Sequence, residues 1–326
     1  MRSYYIFKSG RLRRKENTVF LEYEEDGQSK KKVIPVEDID QIFVFGSVDL
    51  NTKFLEFIGK YEIPVHFFGY EGYYTGTYYP RERAVSGYVL VRQVENYKDS
   101  EKRLNIARKI VEAALHNIRR NLTKKGYEDI AEKVKEYEED LRDAKSVVDI
   151  MSLEAHARKA YYSVWEEITG WPFGGREMHP PSNHLNALIS FGNALVYSNV
   201  LKEIYRTPLS PAVSYLHEPS EKRFSLALDI AEIFKPILVD KLIFRLVDLS
   251  MLSMEKHFVS GSSGTFLNEN GRKIFVQAFD EDLAKTVLHR TLKRKVRYRE
   301  LIRLDIYKLL KHIVEGTNYK PLKVWW

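Results

Sequence analysis

Residues 216–236 read LHEPSEKRFSLALDIAEIFKP. A polar, Pro-containing loop carrying His217 runs into an apolar helix in which Asp229 and Glu232 stand three apart and so share one face. Leu226, Leu228, Ile230, Ile233 and Phe234 surround them, which sets both carboxylates at the margin of a buried surface. Such groups are seldom buried without a partner. Neutral imidazole nitrogen and ionised carboxylate oxygen are ligands that divalent ions accept, so the stretch reads as half of a metal site. The alternative is a surface histidine beside carboxylates that pair with Lys222 or Lys235.

A second stretch, SLEAHARKAYYSVW at 152–165, repeats Glu154, Arg158, Tyr161 and Tyr162 at helical spacing. Ala155, Ala157 and Ala160 between them are small enough to let another helix approach, which predicts Glu154 in a helix–helix seam.

Together these segments resemble the CRISPR-associated integrase family, the larger of the two proteins common to spacer acquisition. That family carries a glutamate in an E-x-x-x-R-x-x-Y helix, a histidine in an AV-x-x-LH loop and two acids in an LALD-x-x-E-x-F-[KR]-P helix. Here they are Glu154 with Arg158 and Tyr161, His217 in SPAVSYLH, and Asp229 with Glu232 in LALDIAEIFKP. PPSNHLNALISFGNALVYSNV at 180–200 is similar to a helix pair of the family, and FLNENGRKIFVQAF at 266–279 to a later signature.

The resemblance implies a metal-dependent DNA endonuclease and integrase that inserts foreign fragments into a CRISPR array. Glu154, His217 and Glu232 are its implied ligands for Mg²⁺ or Mn²⁺, with Asp229 either a fourth ligand or the group that orients His217. Arg158 and Lys222 are candidates for holding phosphate. The implied partners are double-stranded DNA, a second copy of the chain docked through the N-terminal β domains, and a small ferredoxin-like adaptation protein. A catalytically inert DNA-binding adaptor, whose acids only pair with Arg and Lys, is the competing reading.

Composition bounds the rest. The 326 residues suffice for two domains, and zero cysteines exclude disulfides, thiolate metal sites and cysteine nucleophiles. Without an apolar run of about 18 residues or an apolar leader, a cytoplasmic protein with no membrane span is expected. A net charge of +7 suits a polyanionic partner. The Gly174-Gly175 pair fits neither a Walker loop nor a dinucleotide fingerprint, and His179 and His184 flank prolines or cap a helix with no carboxylate at ligand spacing.

In chain order, YYIF, TVFLEYE, KKVIPV, QIFVFG, PVHFFG and YYTGTYY read as strands, with a hairpin turn at Asp26-Gly27 and a short helix at TKFLEFIGK. The expected fold is α+β: a small N-terminal β-sandwich-like domain over 1–82, a linker over 83–100, and a larger all-α catalytic domain over 101–326. Arg245 is the one cation inside the apolar helix expected after Pro236. Residues 285–312 hold ten Lys or Arg against two acids on a helical pattern. Lys293, Arg294, Lys295 and Arg297 at its centre are candidates for gripping a phosphate backbone.

Overall fold

The computed structural model describes the chain apart from residues 82–83, 178–179, 220–223 and 262–263, so His179 and Lys222 lie outside the described residues. It divides into two units, 1–83 with 267–269, and 84–266 with 270–326.

Eight strands of the first unit build two four-stranded sheets. β1 (Arg2–Ile6) lies beside β5 (Ile39–Val44), then β7 (Val65–Phe68) and β8 (Tyr74–Tyr78), while β4 (Gln28–Pro35), β3 (Thr18–Glu25), β2 (Gly10–Lys15) and β6 (Val48–Asp49) form the other sheet in that order. Ile6, Ile42, Val44 and Val65 from the first sheet and Leu12, Val19, Leu21 and Ile34 from the second share one core with Phe54, Phe57 and Ile58 of α1 (Thr52–Lys60). The sandwich-like reading therefore describes this unit. The Asp26-Gly27 turn joins β3 to β4 with φ of 54° and 71°, both in the left-handed region that such a turn requires. β2, GRLRRK, is absent from the sequence reading because its charges mask a strand in which Leu12 alone is buried.

The second unit is mainly helical. In the span expected as a linker, α2 (Gly87–Lys98) forms a helix capped by Ser86 that buries Val89, Gln93 and Asn96. Its burial pattern runs against its hydrophobicity, with Tyr88, Leu90 and Val91 exposed and the polar Gln93 and Asn96 buried, so no amphipathic period marks it as a helix. There follow α3 (Ser100–Lys124), α4 (Glu128–Asp140), α5 (Val147–Tyr162), α6 (Trp165–Thr169), α7 (His184–Tyr205), α8 (Ser225–Lys235), α9 (Lys241–Asp248), α10 (Met254–His257), α11 (Glu269–Ala284) and α12 (Tyr298–Glu315). The stretch expected as a helix pair is the single helix α7. Within it a Cβ on Gly192 would meet Val239 Cγ1 at 2.5 Å, so glycine there lets the chain after α8 pack directly on α7.

Two short hairpins qualify the all-α expectation, β9 (Phe258–Gly261) with β10 (Gly264–Leu267) and β11 (Thr286–Leu288) with β12 (Lys295–Arg297). The basic run 285–312 is thus half hairpin and half helix. Val287 pairs with Val296 across the ladder, and β-branched residues so placed favour a strand over the helical spacing of the cations.

Between α8 and α9 lies a single π-helical turn, Pro236–Asp240. Pro236 has no N–H and its ring collides with the carbonyl four residues back, so the helix widens instead of continuing. Asn121 of α3 donates to the Pro236 carbonyl at 2.8 Å, and Asn117 donates to the Ile233 carbonyl at 3.0 Å. Two buried amides thereby lock the end of α8 to α3.

Candidate metal centre

Glu154 and Arg158 lie one turn apart on α5, whose start is fixed by a capping box between Ser146 and Asp149. Ala157 is buried in the seam and Ala155 faces solvent, so the close approach rests on fewer small residues than the spacing predicts. Arg158 Nε donates to Glu154 Oε1 at 2.8 Å, and its Nη2 donates to Glu232 Oε2 on α8 at 2.5 Å. Lys235 pairs with the other oxygen of Glu232. Burial alone would raise the Glu232 carboxyl, but Lys235, Arg158 and the His217 imidazole hold it at about 2.

Asp229 is fully buried on α8 and saturated with donors. Its Oδ2 accepts the N–H groups of Tyr215 and Leu216 at 2.7 and 2.9 Å, and its Oδ1 accepts the N–H of His217 at 3.0 Å and His217 Nδ1 at 2.8 Å. A carboxylate offers about four lone-pair sites, and all four are used. The bond at Nδ1 fixes that nitrogen as the protonated one and leaves Nε2 as the free acceptor of the ring. Burial lowers the His217 pKa, yet the Asp229 hydrogen bond and the charges of Asp229 and Glu232 outweigh it and raise the group above its ordinary value.

The sequence reading passed over Asp240, the acid at the end of the π-helical turn. It is fully buried, Tyr161 hydrogen-bonds to it, and its Oδ2 has no hydrogen-bond partner. Burial pushes its pKa up to about 7 against the opposing pull of Arg158, Tyr161 and Lys235, with Glu232 adding to the rise. An acid set into the apolar run directly after Pro236 was the available signal.

Other candidates fall elsewhere. Arg245 on α9 pairs with Asp282 at 2.9 Å, and Lys293, Arg294, Lys295 and Arg297 stand exposed along the β11–β12 hairpin. His184 opens α7 and lies edge-on to Phe258 at 4.8 Å, a packing role.

Among the described residues no three His, Asp or Glu side chains converge closely enough to hold one ion. The donor set nevertheless fits a divalent cation. Carboxylate oxygens from two helices already meet on one cationic centre, the Arg158 guanidinium, and a free imidazole nitrogen lies within electrostatic reach of Glu232. An ion of higher charge density can take the place of that guanidinium.

The model of the family described as "CRISPR associated protein Cas1" matches residues 4–281. The chain belongs to the Cas1 family. A relative from Moorella thermoacetica named CRISPR-associated endonuclease Cas1 2 is 59% identical over 326 residues, covering 100% of both chains. The solved structure of a Cas1 protein from Thermotoga maritima superposes with a TM-score of 0.87 at 42% identity, covering 96% of this chain and 97% of that one. A casposase bound to integration product shares the fold at a TM-score of 0.89 and 20% identity, covering 100% of this chain and 95% of that one. Membership of the Cas1 family implies a divalent-metal requirement in general terms. Among the described residues no helix is long and apolar enough to cross a membrane.

Proposed function

We propose that this Cas1 protein is a metal-dependent DNA endonuclease and integrase of spacer acquisition, with Glu154, Glu232 and the Nε2 of His217 as the groups that hold Mg²⁺ or Mn²⁺. The observation that carries the reading is the bridging of Glu154 and Glu232 by one cation beside a histidine whose remaining nitrogen is free. The endonuclease name of the Moorella relative and the integration product named with the casposase support the reaction class. The mixed oxygen and nitrogen set favours Mn²⁺ over Mg²⁺ in vitro.

A bound divalent ion supplies neutralisation of the scissile phosphate and of the leaving 3′ oxygen as charge develops there. The chain's own residues do the rest. Asp229 holds the imidazole in one tautomer and one orientation, as the partner of a ligating histidine does, and so acts behind His217 and not as a fourth ligand. Arg158, once released from Glu154 and Glu232, presents a planar guanidinium to a phosphate oxygen pair. Burial keeps the neighbouring Tyr162 hydroxyl protonated, its pKa pushed up to about 12, so it acts as a donor. Two copies joined through the β units and bridged by a small ferredoxin-like partner form the assembly, on the strength of the resemblance above.

The pairing of Glu154 and Glu232 with Arg158 and Lys235 also favours the inert-adaptor reading, since such an adaptor needs nothing more. One experiment separates them: DNA is incubated with the protein and Mn²⁺, with and without chelator, using fragments whose 3′ ends are free or dideoxy-blocked. Metal-dependent cutting in both and branched products from the free ends alone are expected. No metal-dependent product would leave the adaptor, and identical products from both fragments would leave a nuclease without integrase activity.

A further inference from the structure

Residues 317–326 have no regular secondary structure, yet buried polar side chains fix them in place. Asp305, fully buried on α12, accepts the Tyr319 hydroxyl at 2.9 Å and the Leu322 N–H at 2.6 Å. Asn117 of α3 donates to the Leu322 carbonyl at 3.0 Å and accepts the Val324 N–H at 2.9 Å, and the His116 ring meets the Val324 carbonyl at 3.0 Å. An irregular segment held this firmly is a built wall. It closes one side of a cavity of about 590 Å³ whose other sides come from α3, α12 and the turn between β11 and β12.

Six cations line the cavity, Lys109, Arg290, Lys308, Lys311, Lys320 and Lys323, against the single carboxylate Glu112. Glu112 pairs with Lys109 at 3.0 Å and with Lys323 at 2.8 Å, and Lys308 leans on Asp305 at 3.7 Å. Lys311 meets Glu315 at 3.6 Å, an exposed pair that contributes little. Arg290 and Lys320 have no carboxylate within ion-pair distance among the described residues. Positive charge is therefore left over in the lining of the cavity. Trp325 borders the same space, with the Arg290 guanidinium 5.3 Å from its ring centre and His289 edge-on at 5.7 Å.

We propose that this cavity binds one unpaired nucleotide unit, with its phosphate among Arg290, Lys311 and Lys320 and its base against Trp325. Leftover cations beside an accessible aromatic ring are the combination that holds single-stranded nucleic acid, and the volume lies in the range of small-ligand sites. A base stacked inside a duplex cannot reach such a ring. The site deepens the DNA-binding half of the proposed function and needs none of its metal chemistry. None of Lys293, Arg294, Lys295 and Arg297 lines it.

The test is fluorescence anisotropy of a labelled five-nucleotide thymidine oligomer with the full chain in EDTA, as a function of salt. K311Q/K320Q, changed at two exposed side chains, is expected to bind about tenfold more weakly and to lose about 0.7 from the salt slope for each phosphate contact removed. W325L is expected to bind about tenfold more weakly with the slope unchanged, because stacking releases no counterions. Millimolar dTMP separates the sources: displacement of the oligomer identifies a free nucleotide as sufficient, and no displacement identifies a unit of a strand. Parental affinity in both folded variants overturns the proposal, and if W325L misfolds, parental affinity in K311Q/K320Q alone does so. Because EDTA is present throughout, a failure of metal-dependent cleavage leaves this result untouched.

Discussion

Asp229 Oδ1 accepts the Nδ1–H of His217 at 2.8 Å while the same carboxylate ties down the backbone of Tyr215, Leu216 and His217. One buried side chain thus sets both the loop and the direction in which the imidazole offers its free nitrogen.

Asp229→Asn should show both effects. Asparagine has one acceptor oxygen, and its NH₂ confronts a donor it cannot pair with, which costs about 1–3 kcal/mol of stability. Mn²⁺ affinity should fall about 10–100-fold, the usual penalty for losing the partner of a ligating histidine. Calorimetric titration of the folded variant checks it, and unchanged Mn²⁺ affinity would remove Asp229 from the site.

Arg158→Ala tests whether the guanidinium and the metal compete. Without metal the variant should be less stable than the parent, since Glu154 loses its cation and Glu232 keeps only Lys235. Mn²⁺ should then raise its melting temperature by more than it raises the parent's, although cleavage is lost with the phosphate contact. An equal or smaller metal-induced shift would show that Arg158 does not stand in the ion's place.

Asp240 predicts a pH dependence of the metal-free fold. Its folded pKa of about 7 lies above the ordinary carboxyl value of 3.8, so between those values the unfolded chain is ionised and the folded one is not. Stability therefore falls as pH rises from about 4 towards 7 and then levels off. Asp240→Asn should remove this decline and be more stable than the parent at pH 8 by a few kcal/mol, on the scale of about 1.4 kcal/mol for each pKa unit. Urea denaturation of both proteins in EDTA at pH 5 and pH 8 measures the difference, and equal pH slopes would refute it.

Much of this was written in the chain. The shared face of Asp229 and Glu232 follows from helical spacing, and the family motifs add Glu154 and the loop residue His217 to them. The sequence did not foretell that Arg158 would be the partner of two of them at once, since Glu232 is distant in sequence and only the packing of α5 on α8 unites them. Nor does any periodicity report the four donors that converge on Asp229 through the folding of the Tyr215–His217 loop. Asp240 escaped because its burial depends on the π-helical turn at Pro236. The β11–β12 hairpin escaped because three cations out of four residues obscured Val296.

The final prediction concerns His217, which binds metal only as a neutral ring. Proton and metal then compete for Nε2. With Asp229 and Glu232 raising its pKa above the ordinary 6.5, the protonated form persists to a higher pH than in a free histidine. In the metal-free protein its contribution to stability is complete below about pH 6.5 and is lost as pH rises through the raised value, the reverse of the stability conferred by Mn²⁺. The apparent Mn²⁺ dissociation constant should increase about tenfold for each pH unit below that value, because one proton leaves for each ion bound. Glu232, held at about 2, stays ionised throughout, so it cannot supply this dependence. Asp240 titrates nearby, and repeating the measurement in Asp240→Asn separates the two. Activity lost at about pH 6 should return when Mn²⁺ is raised. If it does not return in a protein that is still folded, His217 is not a ligand.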